Sequence, residues 1–133
     1  REYLNLIQSF IKEEHAEDFK TDFIAPLKKS MEHLQTALMF FMENGLKNPL
    51  SAVSGATDFL HLMGLVSLGF IWSKKAQSAR EQLKNSETNK EFLEAKILTG
   101  SYFMHRQLPE TKLRLDRVLT GEKQVMSLAV DQF

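Results

Sequence analysis

Apolar residues recur every third or fourth position through most of the 133-residue chain, and a few breaks divide that pattern into helices. A first segment near 2–14 places Leu4, Ile7 and Ile11 on one face, with Phe10 beside them. A second, from about Asp22 to Asn44, aligns Ile24, Leu27, Met31, Leu34, Leu38 and Phe41 in the alternation of threes and fours that marks a packed seam. Pro26 falls in its first turn, where a missing N–H is harmless. The acidic stretch EEHAED (13–18) between these two segments predicts a solvated bend.

Asn44-Gly45 reads as a helix stop, because glycine accepts the left-handed cap conformation. Asn48-Pro49 reads as a start, with Asn capping free N–H groups and Pro fitting the first turn. The third helix is predicted over about 49–85. It turns apolar on every side through DFLHLMGLVSLGFIW (58–72), and a helix of that kind must be surrounded. Gly55, Gly64 and Gly69 lie inside it despite a penalty of about 1 kcal/mol each relative to Ala. Close approach of another backbone is the expected compensation, with Gly100 as a counterpart.

The polar stretch NSETNKE (85–91) predicts a turn, with Thr88 and Glu91 at capping-box spacing. A fourth helix follows over about 89–120, carrying Phe92, Leu93, Ile97, Tyr102, Phe103, Met104, Leu108, Leu115, Val118 and Leu119. Pro109 should kink or split it. Gly121 should end it, and KQVMSLAVDQF would add a last turn or two. No alternating strand pattern occurs. The expected fold is all-α, an antiparallel four-helix bundle, up-down with short loops.

Composition narrows the partners. Seventeen Lys and Arg balance seventeen Asp and Glu, and no basic block longer than a pair appears, so nucleic acid is not expected. The chain has no Cys, which excludes disulfides, thiolate zinc sites and Cys nucleophiles and suits a reducing, cytoplasmic interior. It opens without Met and without a signal-peptide pattern, and we expect a single helical domain over 1–133 that is the C-terminal piece of a longer chain. The apolar run 59–72 is shorter than the roughly 20 residues of a membrane span and carries His61 near Asp58, so no membrane span is expected.

Chemistry is sparse. Asp58-x-x-His61 is the one near match to the E-x-x-H motif of di-metal bundles, and no second copy exists. A metal or ligand site built on Asp58, His61 and His105 would have too few ligands. The plainer expectation is a buried polar cluster of Asp58 and His61 with Tyr102 or Arg106 across the bundle. Ser54-Gly55, Ser67-Leu68-Gly69 and Gly100-Ser101 lie in helices rather than in a strand-to-helix elbow, and no phosphate-binding glycine loop follows a strand. His105 and Arg106 beside Pro109-Glu110 form a site-like cluster, whose bland counterpart is an Arg106–Glu110 pair at i+4. Met39-Phe40-Phe41-Met42 is wider than one seam needs. Met39, Phe40 and Met42, with His105 and Glu110 at the kink, are therefore expected interface residues; filling of the bundle end is the alternative for the Met39–Met42 patch.

Separated motifs point to a family. Asp58-Phe-Leu-His-Leu-Met-Gly-Leu-Val66, Trp72-Ser-Lys-Lys-Ala76, Glu94-Ala-Lys96, Leu108-Pro-Glu110 and a chain end in Gln132-Phe133 occur in order. The chain resembles the C-terminal helical domain appended to a bacterial subgroup of acyl-CoA dehydrogenases, those similar to methylmercaptopropionyl-CoA dehydrogenase. The likeness is clearest from Asn48 onward. It implies a parent flavoprotein of fatty acid metabolism that oxidises acyl-CoA to trans-2-enoyl-CoA with FAD and a glutamate base held upstream. No catalytic, cofactor or metal residue carries over to these positions. The implied role is packing against the catalytic domains of the same chain and a second subunit, with acyl-CoA nearby. The competing reading is a free-standing helical interaction module without enzymatic activity.

Overall fold

The computed structural model describes residues 2–44, 49–85 and 89–120, and every element in them is helical. The order is α1 (Glu2–Lys12), α2 (Glu17–Phe19), a π-helical turn π1 (Lys20–Ile24), α3 (Ala25–Asn44), α4 (Pro49–Asn85), α5 (Lys90–Tyr102), a second π turn π2 (Phe103–Gln107) and α6 (Glu110–Thr120). The all-α reading holds. The stop expected at Gly45, the capping residue Thr88, the closure at Gly121 and the tail beyond it lie outside the described residues.

Two boundaries differ from the periodicity. The bend is confined to 13–16, and the helix resumes at Glu17, five residues before Asp22. His15 closes that bend: its Nε2 donates to the Phe10 carbonyl at 2.8 Å, and its ring packs near Phe10 and Phe19. At the far turn, Asn89 adopts φ 62° as the N-cap of α5 without a side-chain capping bond. Asn is among the few non-glycine residues that tolerate this conformation.

The two π turns share one cause. In π1 the Ala25 N–H bonds to the Lys20 carbonyl, and Pro26 follows. In π2 the Leu108 N–H bonds to the Phe103 carbonyl at 2.9 Å, and Pro109 follows. A proline offers no N–H and its ring clashes with the carbonyl four residues back. Widening the preceding turn to an i−5 bond relieves that clash. Pro109 thus divides the fourth helical segment, whereas at Pro26 the rod runs on into α3.

The core is built around α4. Leu62, Val66, Phe70, Ser73, Ala76 and Ala79 face inward, against Phe23, Leu27, Met31 and Leu34 on one side and Met104, Leu108, Leu115 and Val118 on the other. Positions on α4 rise as their neighbours fall. Gly55 adjoins Phe41 and Val118, Gly69 adjoins Leu27 and Leu108, and Arg80 reaches Asp18. So α4 runs opposite to the rod before it and to the α5–α6 segment after it. From α1, Ile7 and Phe10 complete the core, with Tyr3 and Phe10 set edge-on to Phe70.

One expectation fails in a telling way. The apolar run of α4 is not surrounded. Leu60 is 67% exposed, and Val53, Met63, Leu68 and Ile71 are exposed as well. Although the run 59–72 alone is too short to span a bilayer, the stretch Gly55–Asn85 is long and apolar enough by length and composition, and only 28% of its apolar window is buried. The other faces of the molecule carry exposed charge at Lys28, Lys29, Glu32, Lys112, Asp116 and Arg117, which argues against immersion in hydrocarbon.

Candidate functional site

The predicted polar cluster does not assemble. Asp58 is only partly buried and turns to α6, where Arg114 Nη1 donates to its Oδ1 at 2.8 Å and Arg117 approaches to 3.7 Å. His61 is exposed, as are Tyr102 and Arg106. The guanidinium of Arg106 lies 5.6 Å from the centre of the Tyr102 ring, a cation–π contact on the surface. Through π2, Phe103, Met104 and Leu108 are buried, while Tyr102 before it and His105, Arg106 and Gln107 within it are exposed. Period 3.6 predicts a different face.

The expected Arg106–Glu110 pair is replaced. Glu110 accepts from Arg114 Nε at 2.9 Å, so Arg114 holds one carboxylate on its own helix and one on α4. Both bonds strengthen the hold on its proton and push its pKa above the usual value. Arg114 was not singled out by any motif; its signal was an unpaired Asp on the apolar run facing an Arg eight residues beyond the expected Arg106.

His105 Nε2 lies 3.2 Å from Asp22 Oδ1, which ties π2 to π1. Deeper in, His33 Nδ1 is 2.9 Å from the buried Thr111 hydroxyl. Burial holds the His33 pKa below 6.5, and the positive charges of Lys29 and Lys112 lower it further. Among the described residues, no three His, Asp or Glu side chains converge as a metal site would require.

A flavin dinucleotide needs a cradle for its pyrophosphate, usually a glycine turn between a strand and a helix N-terminus. The described residues contain no strand. The glycines of α4 lie mid-helix, with side chains beside Gly55 and Gly69 where such a group would need room. The described residues offer no cradle of that kind.

The best-formed surface feature is the outer face of α4. Val53, Leu60, Gly64, Leu68 and Ile71 follow one another at helical spacing, and all are exposed. A Cβ added at Gly64 would meet nothing within 4 Å, whereas Gly55, Gly69 and Gly100 are each crowded. The backbone approach expected at the glycines is thus found at Gly55, against the Val118 Cα at 3.5 Å. Gly69 instead accommodates Leu108, Gly100 accommodates Phe23 and Trp72 rather than a glycine of α4, and a Cβ at Gly64 meets no atom of the described residues within 4 Å. Of the residues expected at an interface, Met39 and Met42 are exposed, Phe40 is partly covered, and His105 and Glu110 are engaged within the chain.

No match to a curated protein was found. Residues 3–129, nearly the whole chain, match the family described as acetyl-CoA dehydrogenase C-terminal like. The motifs at Asp58–Val66, Glu94–Lys96 and Leu108–Glu110 all fall within that span. The chain belongs to the acetyl-CoA dehydrogenase C-terminal-like family.

Proposed function

We propose that these residues form a non-catalytic antiparallel four-helix bundle, one domain of a FAD-dependent acyl-CoA dehydrogenase, that docks on the catalytic part of its parent through the outer face of α4. Family membership supports the parent, since the family is that of a C-terminal domain of such enzymes and implies FAD elsewhere in the parent. The observation that carries the docking reading is the second apolar face of α4. One face packs against α3, α5 and α6, and the other, from Val53 to Ile71, is bare. Apolar patches of this kind mark interaction surfaces.

A protein partner fits this face better than lipid. The bare stripe occupies one side of a helix whose other side is wrapped by charged, water-facing helices. Gly64 at its centre lets a partner backbone approach, as Gly55 lets α6 approach on the inner side. Met39 and Met42, exposed on α3, are further candidate contacts. The ordered motifs support a parent resembling methylmercaptopropionyl-CoA dehydrogenase, and we propose that it acts in the cytoplasm with a second subunit and acyl-CoA close to the docked domain.

The experiment is made on the parent enzyme. Leu60→Asp with Leu68→Asp, both on exposed positions, should leave the bundle helical but reduce acyl-CoA-dependent reduction of an electron acceptor or release the subunits from one another. A parent with flavin absorbance, full activity and unchanged assembly in the double variant contradicts docking through this face. A colourless parent without acyl-CoA oxidation contradicts the enzyme reading itself.

A further inference from the structure

The two proline-induced π turns do more than bend their rods. They lie side by side, joined by His105 and Asp22, and open a cleft of about 400 Å³ beneath them. That volume lies within the range of small-molecule sites. π turns within α-helices occur often at functional sites, but here the cleft itself carries the argument.

Its walls have two chemistries. Pro26, Met104, Leu108 and Pro109 give an apolar floor. Lys29 and Lys112 bring positive charge from the two rods. Among the described residues no carboxylate pairs with Lys29, while Lys112 shares Asp116 at 2.9 Å. His33 reports the resulting field, because the lysines disfavour its protonation more than Glu32 and Asp116 favour it.

We infer that this cleft binds a small amphiphilic anion, with one phosphate or carboxylate head between Lys29 and Lys112 and an apolar body against Pro26, Leu108 and Pro109. Lysine ammonium groups suit such a head as mobile point charges. Asp116 would release Lys112 to the incoming anion. The apolar floor is what separates this site from a merely basic surface, since a bare inorganic ion gains nothing from it.

The chain provides its own sensors, because two of its four histidines line the cleft and two do not. The test is a titration of the protein with hexyl phosphate, followed by the ring resonances of His15, His33, His61 and His105. Saturable shifts are expected at His33 and His105, with His15 and His61 unmoved. Hexanol and inorganic phosphate should each bind more weakly than hexyl phosphate, and hexanoate in its place identifies the preferred head. Lys29→Gln or Lys112→Gln should weaken binding about tenfold, the effect of one charge-assisted contact, while the thermal melt confirms the fold. No saturable shift, equal shifts at all four histidines, phosphate binding as tightly as hexyl phosphate, or unchanged binding in both lysine variants would each overturn the assignment. None of these outcomes depends on how α4 docks.

Discussion

Arg114 and Asp58, 56 positions apart, meet at 2.8 Å where α6 crosses α4, and Arg114 holds Glu110 with its remaining donor edge. Both side chains of the cross-helix pair are about one-fifth exposed. The contact is therefore less screened than a surface pair, and it fixes the register of the two helices. Arg114→Met should lower the melting temperature more than Lys112→Met, which removes only an exposed i,i+4 pair. The difference should persist in high salt, where exposed pairs are screened. Equal melting shifts for the two variants would show that the crossing contributes no more than a surface contact.

The glycines divide by what surrounds them. Gly64→Ala adds a Cβ into open space within a helix interior and should stabilise the chain by about 1 kcal/mol. Gly100→Ala places a Cβ 3.0 Å from Phe23 Cε1 and 3.3 Å from Trp72 Cε3. Phe23 is buried and stacked on Phe19, so overpacking should outweigh the helix gain and destabilise by about 1 kcal/mol. Chemical denaturation of the two variants should show opposite signs; the same sign for both would contradict the assigned faces of α4 and α5.

Two pH windows should appear in the stability curve. The folded pKa of His33 lies below 6.5, so the unfolded chain binds the proton more readily. Stability from this group is complete above 6.5 and falls as pH drops below it, until the folded His33 also titrates. Asp18 behaves separately: hydrogen bonds from Arg80 at 2.8 and 2.9 Å hold its pKa below 3.8. Its contribution is present above 3.8 and is lost as pH falls through the lower folded value. His33→Gln should remove the upper window and leave the lower one. Melting curves with the upper window intact in that variant would assign it to another histidine.

Much of this architecture was legible in the residues. The span of α4 was marked by Asn48-Pro49 and the polar stretch after Lys84, and the seam Leu27, Met31, Leu34 reads directly from spacing. What spacing could not show was the consequence of Pro26 and Pro109. Each widens the turn before it by one residue, which advances the face of everything that follows. That shift gave Asp58 to Arg114, while Tyr102, which precedes the widened turn, and Arg106, which lies within it, are exposed. Nor could spacing tell which side of an all-apolar helix meets its own chain, because hydrophobicity has no direction when every side is apolar. Leu60 and Leu62 look alike in the sequence; one is two-thirds exposed and the other is fully buried.

The central claim is that the face of α4 bearing Leu60 is covered in the parent enzyme. The chain has no cysteine of its own, so Leu60→Cys installs a single reporter within it. The rate of alkylation of that thiol, followed by mass spectrometry of its peptide, compares the 133-residue chain with the parent. The docking account predicts rapid modification in the chain alone and at least about tenfold slower modification in the parent, equivalent to 1.4 kcal/mol of protection. Equal rates in the two proteins would contradict it.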